Sequence, residues 1–490
     1  KAAGKLGPKI TAKLKKLAEN TVLSAEGGGC YLIEGTLEVR GKKQKLTIEP
    51  GVTIKFAENA GLYVHNGSIE AKGTADKPIV LTGQREDPGF WKGVFVRGSK
   101  HGGNVLEHVT ISYAGNENNF DNAKPAALMF DASRGHTYFK VSNTELTHSA
   151  GHGLYAEKDL DLDFVSNELT NNEKGAAHLH PASVKLLDTK SKYSGNGTEE
   201  IRVWGDRITK GDHTWPAVGV PYHVTETIEF RDEAYWKVQA GAELQFDENI
   251  GTYVHGAKLA MKGTADAPIT LTGHRDVKGF WRGLFIRGSD SVDNALENVT
   301  ISYAGSDNNF DNADPAGLMI DASRGANSLK VHDCTFADNG GYGFYAEKNL
   351  ELDFAKNTLT GNKEGAARVH PAVLGMLDSA SSYKNNDKDR VATWGDRITK
   401  VEATWPAIDV PYYVEDTIEL RDETFVTIEP GATFQFAENK GLWVHGAKLK
   451  AAGTKDKPIT FTGERETAGF WRGIFIRGTS SIDNELSHVA

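Results

Sequence analysis

One phrase recurs at a fixed interval, and that recurrence limits the possible folds more than any single residue does. Gly73-Thr74-Ala75-Asp76-Lys77-Pro78-Ile79 returns as Gly263-Thr264-Ala265-Asp266-Ala267-Pro268-Ile269 and again as Gly453-Thr454-Lys455-Asp456-Lys457-Pro458-Ile459, a step of 190 residues (263 − 73 and 453 − 263). Phe90-Trp91, Phe280-Trp281 and Phe470-Trp471 keep that step, as do Trp204 and Trp394. A smaller period lies inside it. Short strands alternate apolar and outward residues: Leu62-Tyr63-Val64-His65, Val94-Phe95-Val96-Arg97, Leu128-Met129-Phe130-Asp131, Leu154-Tyr155-Ala156-Glu157, Ala177-His178-Leu179-His180, Ile201-Arg202-Val203-Trp204 and Tyr222-His223-Val224-Thr225. Two-residue alternation marks strands with one buried face. Seven such strands in each repeat make coils of about 27 residues, and coils of that kind stack into a β-solenoid in which each covers its neighbour's apolar face.

The spacing predicts an all-β parallel β-helix with about seven coils per repeat. Its parts are an N-terminal cap over 1–30, a first unit over 31–220, a second over 221–410 and a partial third over 411–490. Ile10, Leu14 and Leu17 have helical spacing among Lys9, Lys13, Lys15 and Lys16, which predicts a short amphipathic helix after Pro8 over the first 20 residues. A cap suits a solenoid end, and a basic membrane-surface helix is the sharper alternative. The last residues, Leu486 to Ala490, stop in mid-coil, which leads us to expect a longer natural chain.

A net charge of −10 argues against nucleic acid as the main partner. No apolar run is long enough to span a bilayer. The two cysteines, Cys30 and Cys334, supply neither a disulfide framework nor a cysteine zinc site. Cys30 aligns with Val220 and Val410, so it reads as a core residue rather than a lipidation site. No signal peptide is visible, so the chain is either a mature form or an intracellular protein, and the mature form is expected.

Leu46-Thr47-Ile48-Glu49-Pro50-Gly51-Val52 opens a stretch that runs through Phe90-Trp91-Lys92-Gly93 to Val109-Thr110-Ile111-Ser112-Tyr113-Ala114-Gly115. It resembles the right-handed parallel β-helix repeats of bacterial secreted and surface proteins, which share the pectin-lyase-like fold. The resemblance implies that fold over nearly the whole chain after residue 30, and a location outside the cell or on its surface. It does not imply one activity, because lyases, glycosidases, tailspikes, adhesins and inert scaffolds share the architecture.

Outward positions of successive strands should stack into columns. The expected ligand-binding residues are Tyr63, His65, Phe95, Arg97, Tyr155 and Trp204, then Tyr253, His255, Phe285, Arg287, Tyr345 and Trp394. Flat aromatics would stack on sugar faces, and the charged and imidazole groups would supply directed hydrogen bonds. The bland alternative is that these columns only stabilise the sheet face. If the chain is an enzyme, the paired carboxylates Asp131 and Glu157 with His180, repeated as Asp321, Glu347 and His370, are its catalytic groups. The polygalacturonase-like elements are incomplete: Gly151-His152-Gly153 becomes Gly341-Tyr342-Gly343, and Arg207-Ile208-Thr209-Lys210 carries an extra threonine.

No cofactor is expected. The Asn- and Asp-rich loops at 116–122 and 306–314 read as turn formers, with calcium as the alternative. His178 and His180 raise a zinc site, against which His178 becomes Arg368 in the second copy. The expected function is a structural or adhesive protein with a polysaccharide or cell-surface glycan as partner. A polysaccharide lyase or hydrolase is the alternative, and a filament subunit associating end to end is the second.

Overall fold

The computed structural model describes residues 12–14, 17, 19–100, 102–117, 120, 123–307, 310 and 313–490. The described residues are all-β, with three short 3₁₀ segments, and no helix among them is long and apolar enough to cross a membrane. The chain divides into two compact units, Lys1–Asp206 with His213–Thr225, and Arg207–Asp212 with Glu226–Ala490.

In the first unit the alternating strands pair in parallel. Gly61–His65, Val94–Arg97, Ala126–Asp131, His152–Ala156, Ala177–Leu179, Ile201–Val203 and Tyr222–Val224 form a continuous ladder. Tyr63, Phe95, Met129, Tyr155, His178, Arg202 and His223 fall in one register column, as the alternation predicts. Two further parallel sheets, one including Thr53–Phe56 and Ile79–Gly83 and the other Lys45–Ile48 and Ser68–Lys72, complete the coil. Leu62, Val64, Ile54, Leu81, Leu46 and Ile69, one pair from each sheet, are fully buried. Apolar burial at about 25 cal/mol per Å² is therefore shared among coils, and none is stable alone.

The recurring Phe-Trp element fills each coil in the same way. Trp91 stacks on Phe56 at 4.0 Å and 4°, Trp281 on Phe246 at 4.2 Å and 5°, and Trp471 on Phe436 at 4.6 Å and 10°. The indole N–H groups of Trp91 and Trp281 donate to the carbonyls of Ser112 and Ser302 at 2.8 and 2.7 Å, so neither ring leaves a buried donor unmatched.

Two expectations change. Ala12–Leu14 is a strand paired in parallel with Tyr31–Ile33, not part of a helix. Edge pairing satisfies backbone groups that an isolated helical turn would leave open. Pro8, Lys9 and Ile10 lie outside the described residues.

In the sequence, Val141-Ser142-Asn143 and Val165-Ser166-Asn167 read as placing an asparagine at one corner of successive coils, and that equivalence is displaced by one position. Asn143 and Ser166 directly follow the register partners Ser142 and Val165, and both have positive φ. The residue that bonds across coils is Asn167: its side chain accepts from Thr144 N–H at 3.0 Å and donates to Val141 O at 3.0 Å. A second ladder joins Ser149, Asn172 and Asn196, and its counterpart joins Asn339, Asn362 and Asn386. Cys334 takes the place of Thr144 in the second unit; burial raises its thiol to about 12, and Cys30 is likewise buried.

Within the second unit the column position shifts face at the repeat boundary. Gly251–His255 pairs with Gly283–Arg287, and that ladder runs on to Tyr412–Val414. It then continues into Thr433–Phe436, not into Gly441–His445. Gly441–His445 instead lies between Ile418–Arg421 and Gly473–Arg477 in a separate sheet.

Candidate functional site

The expected open groove is largely roofed. Tyr63, Phe95 and Tyr155 are buried, together with Met129, by a cluster that includes Phe120 from the loop before the third strand. Phe120 lies 5.6 Å from the Tyr63 ring and 5.2 Å from Phe95. Gly61 makes room for it, since a Cβ there would meet Phe120 Cζ at 2.5 Å. In the second unit Phe310 covers Phe285 and Tyr345 in the same way and packs 4.1 Å from Tyr253, with Gly251 beneath it. An aromatic on the outer face loses its water-exposed area to the loop, which the strand alternation by itself does not reveal.

His65, Arg97, Trp204, Tyr253, His255, Arg287 and Trp394 remain half-buried. Arg97 lies over the Tyr63 ring at 5.4 Å and Arg287 over Phe285 at 5.6 Å. Burial, then the neighbouring arginine, lowers His65 and His255. Trp204 stacks on Tyr155 at 5.4 Å and 16°, and Trp394 on Tyr345 at 5.6 Å and 18°. The calcium-ligand candidates Asn118, Asn119, Asp121, Asn122, Asn308, Asn309, Asp311 and Asn312 lie outside the described residues.

The proposed catalytic groups are brought together and then occupied. Asp131 and Asp321 are buried rather than exposed, and each accepts from the backbone N–H and hydroxyl of the serine two residues on, Ser133 or Ser323. Glu157 accepts from Ala132 N–H at 2.9 Å and from the Tyr155 hydroxyl at 2.9 Å; Glu347 repeats this with Ala322 and Tyr345. Burial, reinforced by the glutamate charge, raises both tyrosines, so each keeps the proton it donates.

His180 and His370, also buried, cap the 3₁₀ segments Pro181–Leu186 and Pro371–Met376. Nδ1 of His180 accepts from Ala182 N–H at 3.0 Å, which leaves the ring proton on Nε2 to donate to Asp206 at 2.8 Å. Lys158 also reaches Asp206. The second unit repeats the arrangement with Ala372, Asp396 and Lys348, and Asp396 falls to about 2 through the bonds from His370, Arg397 and Lys348, which outweigh its burial. Both nitrogens of His180 are therefore committed, and it cannot share a zinc ion with His178. Sequence reasoning missed Asp206 and Asp396, although Trp-Gly-Asp-Arg at 204–207 and 394–397 repeats without change.

Burial, reinforced by Arg202 and Lys124, lowers His178 to about 3. A histidine depressed on folding takes up its proton more readily in the unfolded chain, so stability falls as pH drops below about 6.5. At pH 5 this position should cost about 2 kcal/mol. The second unit has Arg368 there, so between pH 7.5 and 5 hydrogen-exchange protection, taken relative to the intrinsic exchange rate at each pH, should drop further at Ala177–Leu179 than at Gly365–Val369. An equal drop in the two strands would contradict this.

A cleft of about 350 Å³ on another face of the first unit involves Thr110, Glu145 and Glu168, none of them an expected site residue.

Comparison with known proteins agrees with the fold. A family model described as a pectate-lyase-like β-helix domain matches residues 15–124, and one described as a right-handed β-helix region matches residues 282–372. Protein bark beetle of Drosophila melanogaster is 32% identical over 122 residues, 24% of this chain and 4% of that protein. The chain thus corresponds to a small fraction of that relative's length. No solved structure matches. Taken with the parallel ladders of both units, these matches make the chain a right-handed parallel β-helix protein with domains of the pectate-lyase-like kind.

Proposed function

We propose that the chain is a structural or adhesive β-helix protein, secreted or displayed at the cell surface, that holds a glycan against Trp204 and Trp394. The observation that carries this reading is a contrast. The candidate acids and imidazoles spend their polar atoms on local backbone and side-chain partners, while the two indoles stay half-exposed at equivalent positions directly after the strands Ile201–Val203 and Val391–Thr393. A tyrosine stacked behind each indole stiffens it as a platform for the apolar face of a sugar ring. A repeat that adds platforms by adding coils suits adhesion better than turnover.

Glycan-array binding tests this. Trp204→Ala with Trp394→Ala should weaken binding at least tenfold, about 1.4 kcal/mol or more, with the circular dichroism unchanged. Glu157→Gln with Glu347→Gln should leave binding intact. Release of product from a polysaccharide by the wild-type chain, abolished by Glu157→Gln, would replace this reading with the lyase or hydrolase.

A further inference from the structure

The two units share a backbone but not the charges around these tryptophans. In the second unit Arg368 is neutralised from within the chain. It bonds Asp314 through Nη1 and Glu415 through Nε and Nη2, at 3.0 and 2.7 Å for the latter pair, and lies 4.8 Å over the Trp394 ring. Lys388 pairs with Glu364. In the first unit, 190 residues earlier, His178 stands for Arg368, Lys124 for Asp314, Thr225 for Glu415 and Lys174 for Glu364. Each carboxylate that closes the second cluster has become a cation or a hydroxyl.

The first cluster is correspondingly rich in positive groups. Arg202 is the register neighbour of His178 in the ladder; the Lys124 and Arg202 charges act on His178, and those of Lys174 and Arg202 act on His152. Glu200 is the carboxylate acting on His178, and it already holds His223 Nδ1 at 3.0 Å and lies 3.6 Å from Arg202. His178 stands edge-on to Trp204 at 4.9 Å. His152 lies behind it, 4% exposed, with the two rings 5.1 Å apart. Neither ring nitrogen of His152 makes a hydrogen bond among the described residues, although the Pro125 carbonyl is close enough to favour a proton there. A buried polar side chain left this way is destabilising unless something else supplies the partner.

We infer that the first unit binds an oxyanion (carboxylate, sulfate or phosphate) against Lys124, His178 and Arg202, where the second unit places its own Asp314 and Glu415 around Arg368. The second unit is self-occupied, so the duplicated sites have different ligands. This deepens the proposed aromatic-face reading, because Trp204 borders the cluster, but it rests on different side chains and fails separately.

The test titrates the full chain with free glucuronate, inorganic sulfate, inorganic phosphate and neutral glucose at constant ionic strength, following the ring-proton resonances of His152 and His178. The oxyanions should shift them saturably and glucose should not. A response to glucuronate alone assigns a carboxylate source, and a response to sulfate or phosphate alone assigns an ester. Lys124→Asp with Thr225→Glu installs the second unit's carboxylates in the first and should weaken binding at least tenfold. The reciprocal Asp314→Lys with Glu415→Thr should open a second binding event, which keeps the test decisive if the first variant folds poorly. Failure of every oxyanion to saturate the histidine shifts, or unchanged affinity in the first graft with no second event in its reciprocal, overturns the proposal. Trp204→Ala with Trp394→Ala, by contrast, should weaken glycan-array binding while sulfate still shifts the histidines.

Discussion

Gly341→Ala should leave the second unit unable to fold stably, with a loss above the roughly 4–5 kcal/mol that marks exceptional single substitutions. A Cβ at this position would stand 1.7 Å from the Pro315 carbonyl oxygen and 2.5 Å from its carbon. Neither is the end of a flexible side chain. The same oxygen accepts Tyr342 N–H at 2.9 Å, and the Gly341 carbonyl accepts Glu364 N–H at 3.0 Å, so three successive coils hold this backbone where it is. Moving it breaks ladder bonds on both sides. Gly151, 1.8 Å from Pro125 O by the same construction, should behave alike in the first unit. Denaturant titration and soluble yield measure the effect. Gly35→Ala, where a Cβ meets nothing within 4 Å, is the control and should stay within about 0.5 kcal/mol of the parent. A Gly341→Ala protein of near-normal midpoint would mean that the coil corners are not packed as described.

The next largest effect is expected at Asn362. It is fully buried, and its amide joins three coils: Oδ1 accepts from Asn339 N–H at 3.2 Å and Nδ2 at 2.8 Å, while its own Nδ2 donates to Phe336 O at 3.0 Å and Asn386 Oδ1 at 2.9 Å. Asn362→Ala strands a backbone N–H, a carbonyl and a neighbouring amide at once. At about 1–3 kcal/mol for each buried group left without a partner, the loss should be about 3–5 kcal/mol, part of it relieved by relaxation or entering water. Because the ladder acts as a chain, Asn339→Ala with Asn362→Ala should cost less than the sum of the two singles by more than about 0.5 kcal/mol. Strict additivity in that double-mutant cycle would show that the bonds act independently.

The solenoid was legible because its signal is repeated: alternation placed Tyr63, Phe95, Met129 and Tyr155 in one column, and their pairing is in that register. The asparagine corners were read one residue off, because Asn143 and Asn167 look equivalent in composition. Only the left-handed backbone at Asn143 and Ser166 separates the turn residue from the ladder residue. The roof over the aromatic column was not legible at all. Nothing in Tyr63 or Phe95 shows that Phe120, 57 and 25 positions later, will lie on them; Gly61 was the available clue, a residue without a side chain where the ring needs space. The carboxylates misled for a related reason. Asp131 and Glu157 have the residue types of a catalytic pair, but their oxygens answer to Ser133, Ala132 and Tyr155, which pattern reading treats as background.

The sheet switch at the repeat boundary bears on how many grips one ligand can feel. Trp394 directly follows Val391–Thr393, whose ladder leads through Tyr412–Val414 into Thr433–Phe436, whereas Trp443 and His445 sit on Gly441–His445 in another sheet. A single straight polymer lying along the former cannot slide onto the latter without turning a corner. Avidity in the second unit would then come from separate molecules, or separate branches, approaching from different directions, and one long chain would gain little from the extra copy.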